Sequence, residues 1–364
     1  MSISFHPLKI ADVRRETDEA VSIGFDVPEA LKETFAFQPG QYLTLKTEIG
    51  GEEVRRNYSV CSGLGDGELR VAVKKVPDGV FSTFANEKLS AGDVIEVMPP
   101  EGRFTSALAP TQRKSYLLIA AGSGITPVLS IARSVLTREP ESRVTLLYGN
   151  RTVSSILFKE ELEALKDRYP SRFSLMHILS RQPQDVPLFN GRIDREKLEQ
   201  LFEGLIDPAA QDEIFICGPV TMTETAQAVL AEHGVAEDRI HVELFTTEHN
   251  AAEIEEARRR RAERLGAAAG EAKHVMVIFD GVDTAFDLAT DGDSILDAAL
   301  EKRGDMPFSC KGGMCCTCRA KVIEGEVAMD VNYALTDEEV EAGFVLTCQS
   351  HPLSDRVVID YDQR

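Results

Sequence analysis

Apolar and polar positions change their rhythm three times along the chain. Up to about residue 106 short runs alternate residue by residue: YLTLKTEI (42–49), VRRNYSV (54–60), ELRVAVKKV (68–76) and DVIEVMPP (93–100), parted by turn formers such as GLGDGE and PDG. Period-two alternation with close turns predicts an antiparallel β-barrel over 1–106. From 107 to about 247 the apolar runs become continuous: YLLIAAG (116–122), RVTLLYG (143–149), FSLMHILS (173–180) and EIFICGP (213–219). Between them lie helical patterns at 127–136, 158–169 and 221–234. Strands alternating with helices predict an α/β domain with a doubly wound parallel sheet. Residues 248–272 carry almost no apolar periodicity and read as a solvated linker, partly helical. The basic run from Arg258 to Arg261 within it reads as a solvated helical face rather than a partner contact. At 273 the pattern restarts with strands HVMVIFDG and TAFDLAT, helix SILDAALEK, strand RAKVIEG, a short helix TDEEVEAGF and a closing strand VVIDY. That succession predicts a small α+β domain over 273–364.

The 364 residues suit two or three domains, and no run of 18 apolar residues exists to span a membrane. The N-terminus lacks the apolar core of a signal peptide, so a cytoplasmic location is expected. The formal charge of −20 argues against nucleic acid and anionic membrane surfaces as partners. From Lys273 to Arg364, 18 acids face 8 Lys or Arg, so about half the excess sits on about a quarter of the chain. Simple solubility accounts for this; an acidic domain docking on a basic surface is the sharper alternative.

Five of the seven cysteines cluster: Cys310, Cys315, Cys316, Cys318 and Cys348, with Cys61 and Cys217 apart. Cys310, Cys315 and Cys318 have C-x4-C-x2-C spacing and Cys348 follows after 29 intervening residues, the arrangement of plant-type [2Fe–2S] ligands. Each iron needs two thiolates, and Gly312 and Gly313 give the loop the freedom to wrap them. A structural zinc site is the competing reading, but zinc prefers paired C-x2-C arms. Cys316 breaks the spacing and reads as a small packing residue. On these residues, 273–364 resembles a plant-type ferredoxin of β-grasp fold.

Arg56-x-Tyr58-Ser59 lies on a barrel strand, where period two puts Arg56 and Tyr58 on one face. Arg56 can pair with a phosphate, Tyr58 can lay its ring on a flat heterocycle, and Ser59 can reach the reactive edge of that ring. Val73-Lys74 and then Gly79-Val80-Phe81-Ser82-Thr83 give a turn into a helix start, whose N–H groups suit a pyrophosphate. Together these resemble the two flavin motifs of the ferredoxin–NADP reductase family. That resemblance implies FAD on the barrel, FAD rather than FMN because the motif extends to Ser62.

The first α/β strand runs into Gly122-Ser123-Gly124-Ile125-Thr126-Pro127, with Thr126 as expected N-cap and Pro127 as expected first helical residue. The glycines let a pyrophosphate approach the helix N-terminus. Both this segment and Cys217-Gly218-Pro219 resemble the nicotinamide motifs of the same family, which implies that Cys217 lies near the nicotinamide. Taken alone, Cys217 reads as a buried strand residue. No acid follows the second strand, which ends Gly149-Asn150-Arg151, and the third ends Ser180-Arg181. Arg151, Ser180 and Arg181 could hold a 2′-phosphate, which favours NADPH over NADH; two exposed surface arginines are the rival reading. The resemblance also implies that Glu243 and Phe245 pack by the flavin.

Flavin accepts electrons in pairs and releases them singly, and a cluster carries single electrons onward. The domain order resembles reductase components of bacterial aromatic-degradation oxygenases, and the CKGGMCCTC loop resembles reductase subunits of phenylacetyl-CoA epoxidase complexes. The implied enzyme is an NAD(P)H-dependent oxidoreductase passing electrons to a di-iron oxygenase. The alternatives are a reductase for another oxygenase or for a hybrid-cluster protein, and a non-enzymatic redox sensor.

Overall fold

The computed structural model describes residues 4–245, 248–265 and 270–363, and these fall into two compact units, Phe5–Phe245 and the described residues after 247.

In the first unit the alternating N-terminal runs form β1 (His6–Thr17), β2 (Ala20–Asp26), β3 (Tyr42–Ile49), β4 (Glu52–Ser59), β5 (Leu69–Lys74) and β6 (Val94–Val97), with helix α1 (Val80–Glu87) between the last two. Their order is β4-β3-β6-β1-β2-β5, all antiparallel, and a bridge from Val60 to Val71 closes the end of β4 onto β5. Inside sit Leu8, Ile10, Ile23, Leu43, Leu45, Val71 and Val73, all fully buried. Buried polar groups are matched. Arg70 is 3% exposed, and its guanidinium reaches Asp12 at 2.7 Å, Glu68 at 3.0 Å and the Ser22 hydroxyl at 3.1 Å.

The α/β part has β7 (Ser115–Ala121), α2 (Ile125–Arg138), β8 (Arg143–Asn150), α3 (Lys159–Arg168), β9 (Phe173–Leu179), α4 (Arg195–Gly204), β10 (Glu213–Gly218), α5 (Val220–Glu232) and β11 (Ile240–Leu244). The strands are parallel in the order β11-β10-β7-β8-β9. Alternate residues of β7 feed two cores. Tyr116, Leu118 and Ala120 pack with α2 and α3, and Leu117 and Ile119 with α4 and α5. Both sheet faces are covered, so the strands read as unbroken apolar runs.

Helix α2 also seats the barrel. Its fully buried Ser130 donates to the Ser62 carbonyl at 2.6 Å, and one turn on Ser134 accepts from the Leu64 N–H at 2.8 Å. Arg133 pairs with Asp66 at 3.1 Å, and any side chain at Gly63 would press on the Arg133 Cβ, 2.6 Å away. Ser62 thus meets α2 through its carbonyl, while its hydroxyl accepts the Arg70 N–H within the barrel at 3.1 Å.

The second unit opens with α6 (Glu248–Leu265), followed by β12 (Ala272–Phe279), β13 (Val282–Ala289), α7 (Ile295–Lys302), β14 (Arg319–Glu324), β15 (Val327–Met329), α8 (Asp337–Glu341), β16 (Phe344–Leu346), β17 (Ser350–Pro352) and β18 (Arg356–Asp360). A mixed sheet β13-β12-β18-β14-β16 backs α7, while β15 and β17 form a separate ribbon. The β12–β13 turn is Asp280-Gly281, both at positive φ, and Asp362 accepts both N–H groups at 2.9 Å. Helix α6 is not wholly solvated as its composition suggests. Arg261 is 5% exposed, held by Asp330. Among the described residues no helix is long and apolar enough to cross a membrane.

Candidate cofactor sites and family

The loop from 309 to 318 wraps by leaving ordinary backbone space. Lys311, Gly313 and Cys316 all have positive φ, and a Cβ on Gly313 would crowd the Val331 carbonyl at 3.2 Å. The wrap turns the Gly312 N–H onto the Cys310 sulfur at 3.3 Å. The thiols fall into two interacting pairs. Cys310 is held below its ordinary pKa by the hydrogen bond from Cys315, and Cys315 is pushed up by the same contact. Cys318 is pushed up by its hydrogen bond with Cys348, then by burial. Among the described residues no three His, Cys, Asp or Glu side chains are placed to hold a single metal ion. Four thiols brought together by the loop and the segment at 348 are a donor set that fits a [2Fe–2S] cluster, with two thiolates for each iron. The Cys316 thiol instead meets the Ala334 carbonyl at 3.5 Å.

On β4 the expected face appears: Arg56 is exposed and Tyr58 half-buried, in register with Leu45 and Leu43 of β3. The Tyr58 ring lies 5.4 Å from Phe81, and burial pushes its hydroxyl pKa up. Gly79 caps α1, and any side chain there would strike the Ser82 hydroxyl and Val76. That hydroxyl is already engaged, accepting from the Val76 N–H and donating to the Gly79 carbonyl, both at 3.2 Å. Ser82 thus shapes the turn into α1, whose first-turn N–H groups have no intrahelical acceptor. Val73, expected at the cofactor, points into the barrel core, and its carbonyl takes the Asn86 amide at 3.1 Å. Lys74 is half-buried with its pKa lowered, first by desolvation and also by Arg151. Thr83 is half-buried in the first turn of α1. A partly open aromatic ring, a guanidinium and a glycine cradle at a helix start fit FAD.

At the end of β7, Gly122 takes φ 56° and its carbonyl accepts the buried Tyr148 hydroxyl at 2.9 Å. The helix begins at Ile125, after a tight turn over 122–124, so Thr126 is not the N-cap and Pro127 is not the first helical residue. Thr126 instead donates to the Ser123 carbonyl at 3.0 Å. Pro127 is tolerated at the third position because that N–H has no acceptor inside a helix. A Cβ on Gly124 would strike the Cys217 carbonyl, so the first and fourth strand ends share a wall. Gly218 packs under Ala121 and Met222, and Pro219 precedes α5. These two helix starts form a cradle that fits a dinucleotide pyrophosphate. Arg151 and Arg181 are both exposed at neighbouring strand ends, joined by the Arg181 N–H to the Arg151 carbonyl at 2.8 Å, and Ser180 lies beside Asn150.

Ser59 donates to Glu243 across 3.1 Å, joining the flavin strand to β11. Glu243 pairs in register with Cys217. Desolvation pushes the Glu243 carboxyl up to about 8, against the lowering hydrogen bond from Ser59. The carboxyl keeps some solvent access while surrounded by protein. Cys217 is fully buried, and that burial, then the Glu243 charge, raises its pKa well above the ordinary value. It is therefore a neutral thiol packed in the core. Phe245 packs on the same core. The resemblance placed Glu243 by the flavin, but its bond to Ser59 had no signal in spacing, since the two lie 184 positions apart.

Models of an oxidoreductase FAD-binding domain, an oxidoreductase NAD-binding domain and a 2Fe-2S iron-sulfur cluster binding domain match residues 7–106, 118–228 and 277–353. One component of 1,2-phenylacetyl-CoA epoxidase from Escherichia coli (strain K12) is 45% identical over 361 residues, covering 99% of both chains. The ferredoxin reductase component of 3-ketosteroid-9-alpha-monooxygenase from Rhodococcus rhodochrous is 34% identical, covering 97% of this chain and 96% of its own. The solved structure of phthalate dioxygenase reductase covers 98% of each chain at TM-score 0.60 and 24% identity, a likeness of fold. End-to-end likeness to such components, with three cofactor domains in one order, places the chain in the family of FAD- and [2Fe–2S]-containing oxidoreductases that serve as reductase components of oxygenases.

Proposed function

We propose that this chain is the NADPH-dependent reductase of a phenylacetyl-CoA epoxidase complex, working in the cytoplasm and delivering electrons to the di-iron oxygenase of that complex. The observation that carries the reading is the 45% identity, end to end, with a component of the Escherichia coli epoxidase. In this reading residues 1–106 hold FAD, 107–247 hold the nicotinamide coenzyme and 273–364 hold the cluster.

Bound flavin and cluster supply the conversion of paired electrons into single ones. The chain's own residues bind, orient and shield. Arg56 neutralises a phosphate, and Tyr58 offers its ring to the flavin. Gly79 and the start of α1 admit the pyrophosphate. Gly122, Gly124, Gly218 and Pro219 leave backbone room for the coenzyme, and Thr126 holds their turn through Ser123. Arg151, Ser180 and Arg181 bind the 2′-phosphate. Ser59 and Glu243 hold a proton between them at the Ser59 Oγ and Glu243 Oε2. Neutral Cys217 and Phe245 keep water out of the wall behind them. Cys310 with Cys315, and Cys318 with Cys348, would hold the irons of the cluster.

The test is reconstitution. The reductase, the oxygenase subunits of a phenylacetyl-CoA epoxidase and NADPH should consume oxygen and form epoxide from phenylacetyl-CoA. Rapid dye reduction without epoxide formation would reject the partner while leaving the reductase reading intact. Failure to reduce dye with either coenzyme would favour a redox sensor.

A further inference from the structure

We propose that Arg261, in the helix preceding the ferredoxin domain, is a positioning residue for the cluster, holding the segment that carries Cys348. The inference rests on Cys348 being a ligand as proposed above. Cys348 sits between β16 and β17, and among the described residues β17 pairs with β15 alone, three residues against three. A two-stranded ribbon so short is marginal by itself. Asp330, the residue after β15, clamps it. The Asp330 N–H donates to the Gln349 carbonyl at 2.9 Å, and the Asp330 carboxylate meets His351 Nε2 at 3.1 Å. Gln349 in turn donates through Nε2 to the Lys311 carbonyl, inside the cluster loop, at 2.9 Å. Asp330 therefore ties the two ribbon strands to the chain just after the ligand, through its carboxylate at His351 and its backbone N–H at Gln349.

That carboxylate is 2% exposed, and a buried charge needs a partner. Arg261 supplies it. The Arg261 Nη1 reaches the two Asp330 oxygens at 2.9 and 3.0 Å, with its own side chain 6% exposed. Arg258 is the second cation near, but at 3.8 Å and half exposed it is a weaker counter-charge. Composition places Arg261 in a solvated run of arginines; geometry makes it the counter-ion of a clamp 69 positions away.

The test uses the full chain with both cofactors. Arg261→Gln removes the charge at similar size. Iron should then leave to an external chelator at least roughly tenfold faster, since breaking a buried pair strands its partner. The visible circular dichroism of the cluster should change, while NADPH-driven dye reduction through the flavin stays normal. Arg261→Lys should recover part of the retention. The doubly neutral Arg261→Gln/Asp330→Asn chain should hold iron longer than Arg261→Gln alone, because no charge is stranded. Should Arg261→Gln yield no cluster at all, that double variant decides by whether it restores one. Wild-type iron release and an unchanged spectrum in Arg261→Gln would overturn the proposal, as would equal loss in the Gln, Lys and double variants. A lost cluster in Cys348→Ser with normal retention in Arg261→Gln would leave the ligand assignment standing and sink this inference alone.

Discussion

Replacing Glu243 by Gln should make the first unit more stable at high pH and leave it nearly unchanged at low pH. Glu243 has its carboxyl lifted from an ordinary 4.5 to about 8, first by desolvation. A carboxyl whose folded pKa is raised contributes stability that is fully present below pH 4.5, the unfolded value. That contribution is lost as pH rises through about 8 and is flat above it. At 1.36 kcal/mol per tenfold, the full span is an upper bound of about 5 kcal/mol. Solvent reaching the half-buried group lowers this, and about 2 kcal/mol is a reasonable working figure. For a unit of this size each kcal/mol moves Tm by roughly 2–4 °C. The Tm gap between Glu243→Gln and wild type should therefore open by roughly 4–8 °C between pH 5 and pH 9. Flavin fluorescence on release reports the melt. Ser59→Ala, which removes the hydrogen bond holding the carboxyl down, should widen the wild-type pH dependence further. Parallel Tm-against-pH curves for wild type and Glu243→Gln would show that the carboxyl is not desolvated.

Serine at Cys310, Cys315, Cys318 or Cys348 should abolish or badly weaken the cluster, whereas serine at Cys316 should not; iron content and the visible spectrum check this, and a normal cluster in Cys348→Ser would overturn the ligand set. Neutral residues at Arg151 and Arg181 should raise KM for NADPH far more than for NADH, at about 1.5–3 kcal/mol for each charge-assisted contact; equal effects would make them surface charges. Tyr148→Phe should raise KM for NADPH roughly fivefold with kcat kept, since about 1 kcal/mol of hydrogen bonding to the Gly122 carbonyl is lost; an unchanged KM would show that the turn holds without it.

What the chain pattern disclosed depended on how local each feature was. The iron–sulfur domain was legible because three of its four spaced cysteines lie within nine residues, and the sheets because their apolar periods are strong. The first two barrel strands were passed over. The second half of β1 carries Asp12, Arg14 and Glu16, which answer Arg70, Glu68 and Ser22 rather than an apolar core. Strand β2 is buried at six consecutive positions and shows no alternation. Thr126 and Pro127 matched the usual preferences for a helix start, yet the tight turn over 122–124 moved that start forward. Val73 turns its side chain inward by the pleat, while the half-buried Lys74 beside it turns the other way. The links from Ser59 to Glu243 and from Arg261 to Asp330 had no trace in spacing, because only the folded chain brings such distant residues together.

The serine pair on α2 bears on how such reductases can be recombined. Ser130 and Ser134, four residues apart, present one turn-spaced row to the carbonyl of Ser62 and the N–H of Leu64. A chimaera joined near residue 106, taking its barrel from one relative and its nucleotide domain from another, would split this row from the loop it grips. Two backbone groups would then be buried unanswered, at about 1–3 kcal/mol each. Parental loop and helix would have to be inherited together, so the unit of exchange between relatives is the whole of Phe5–Phe245.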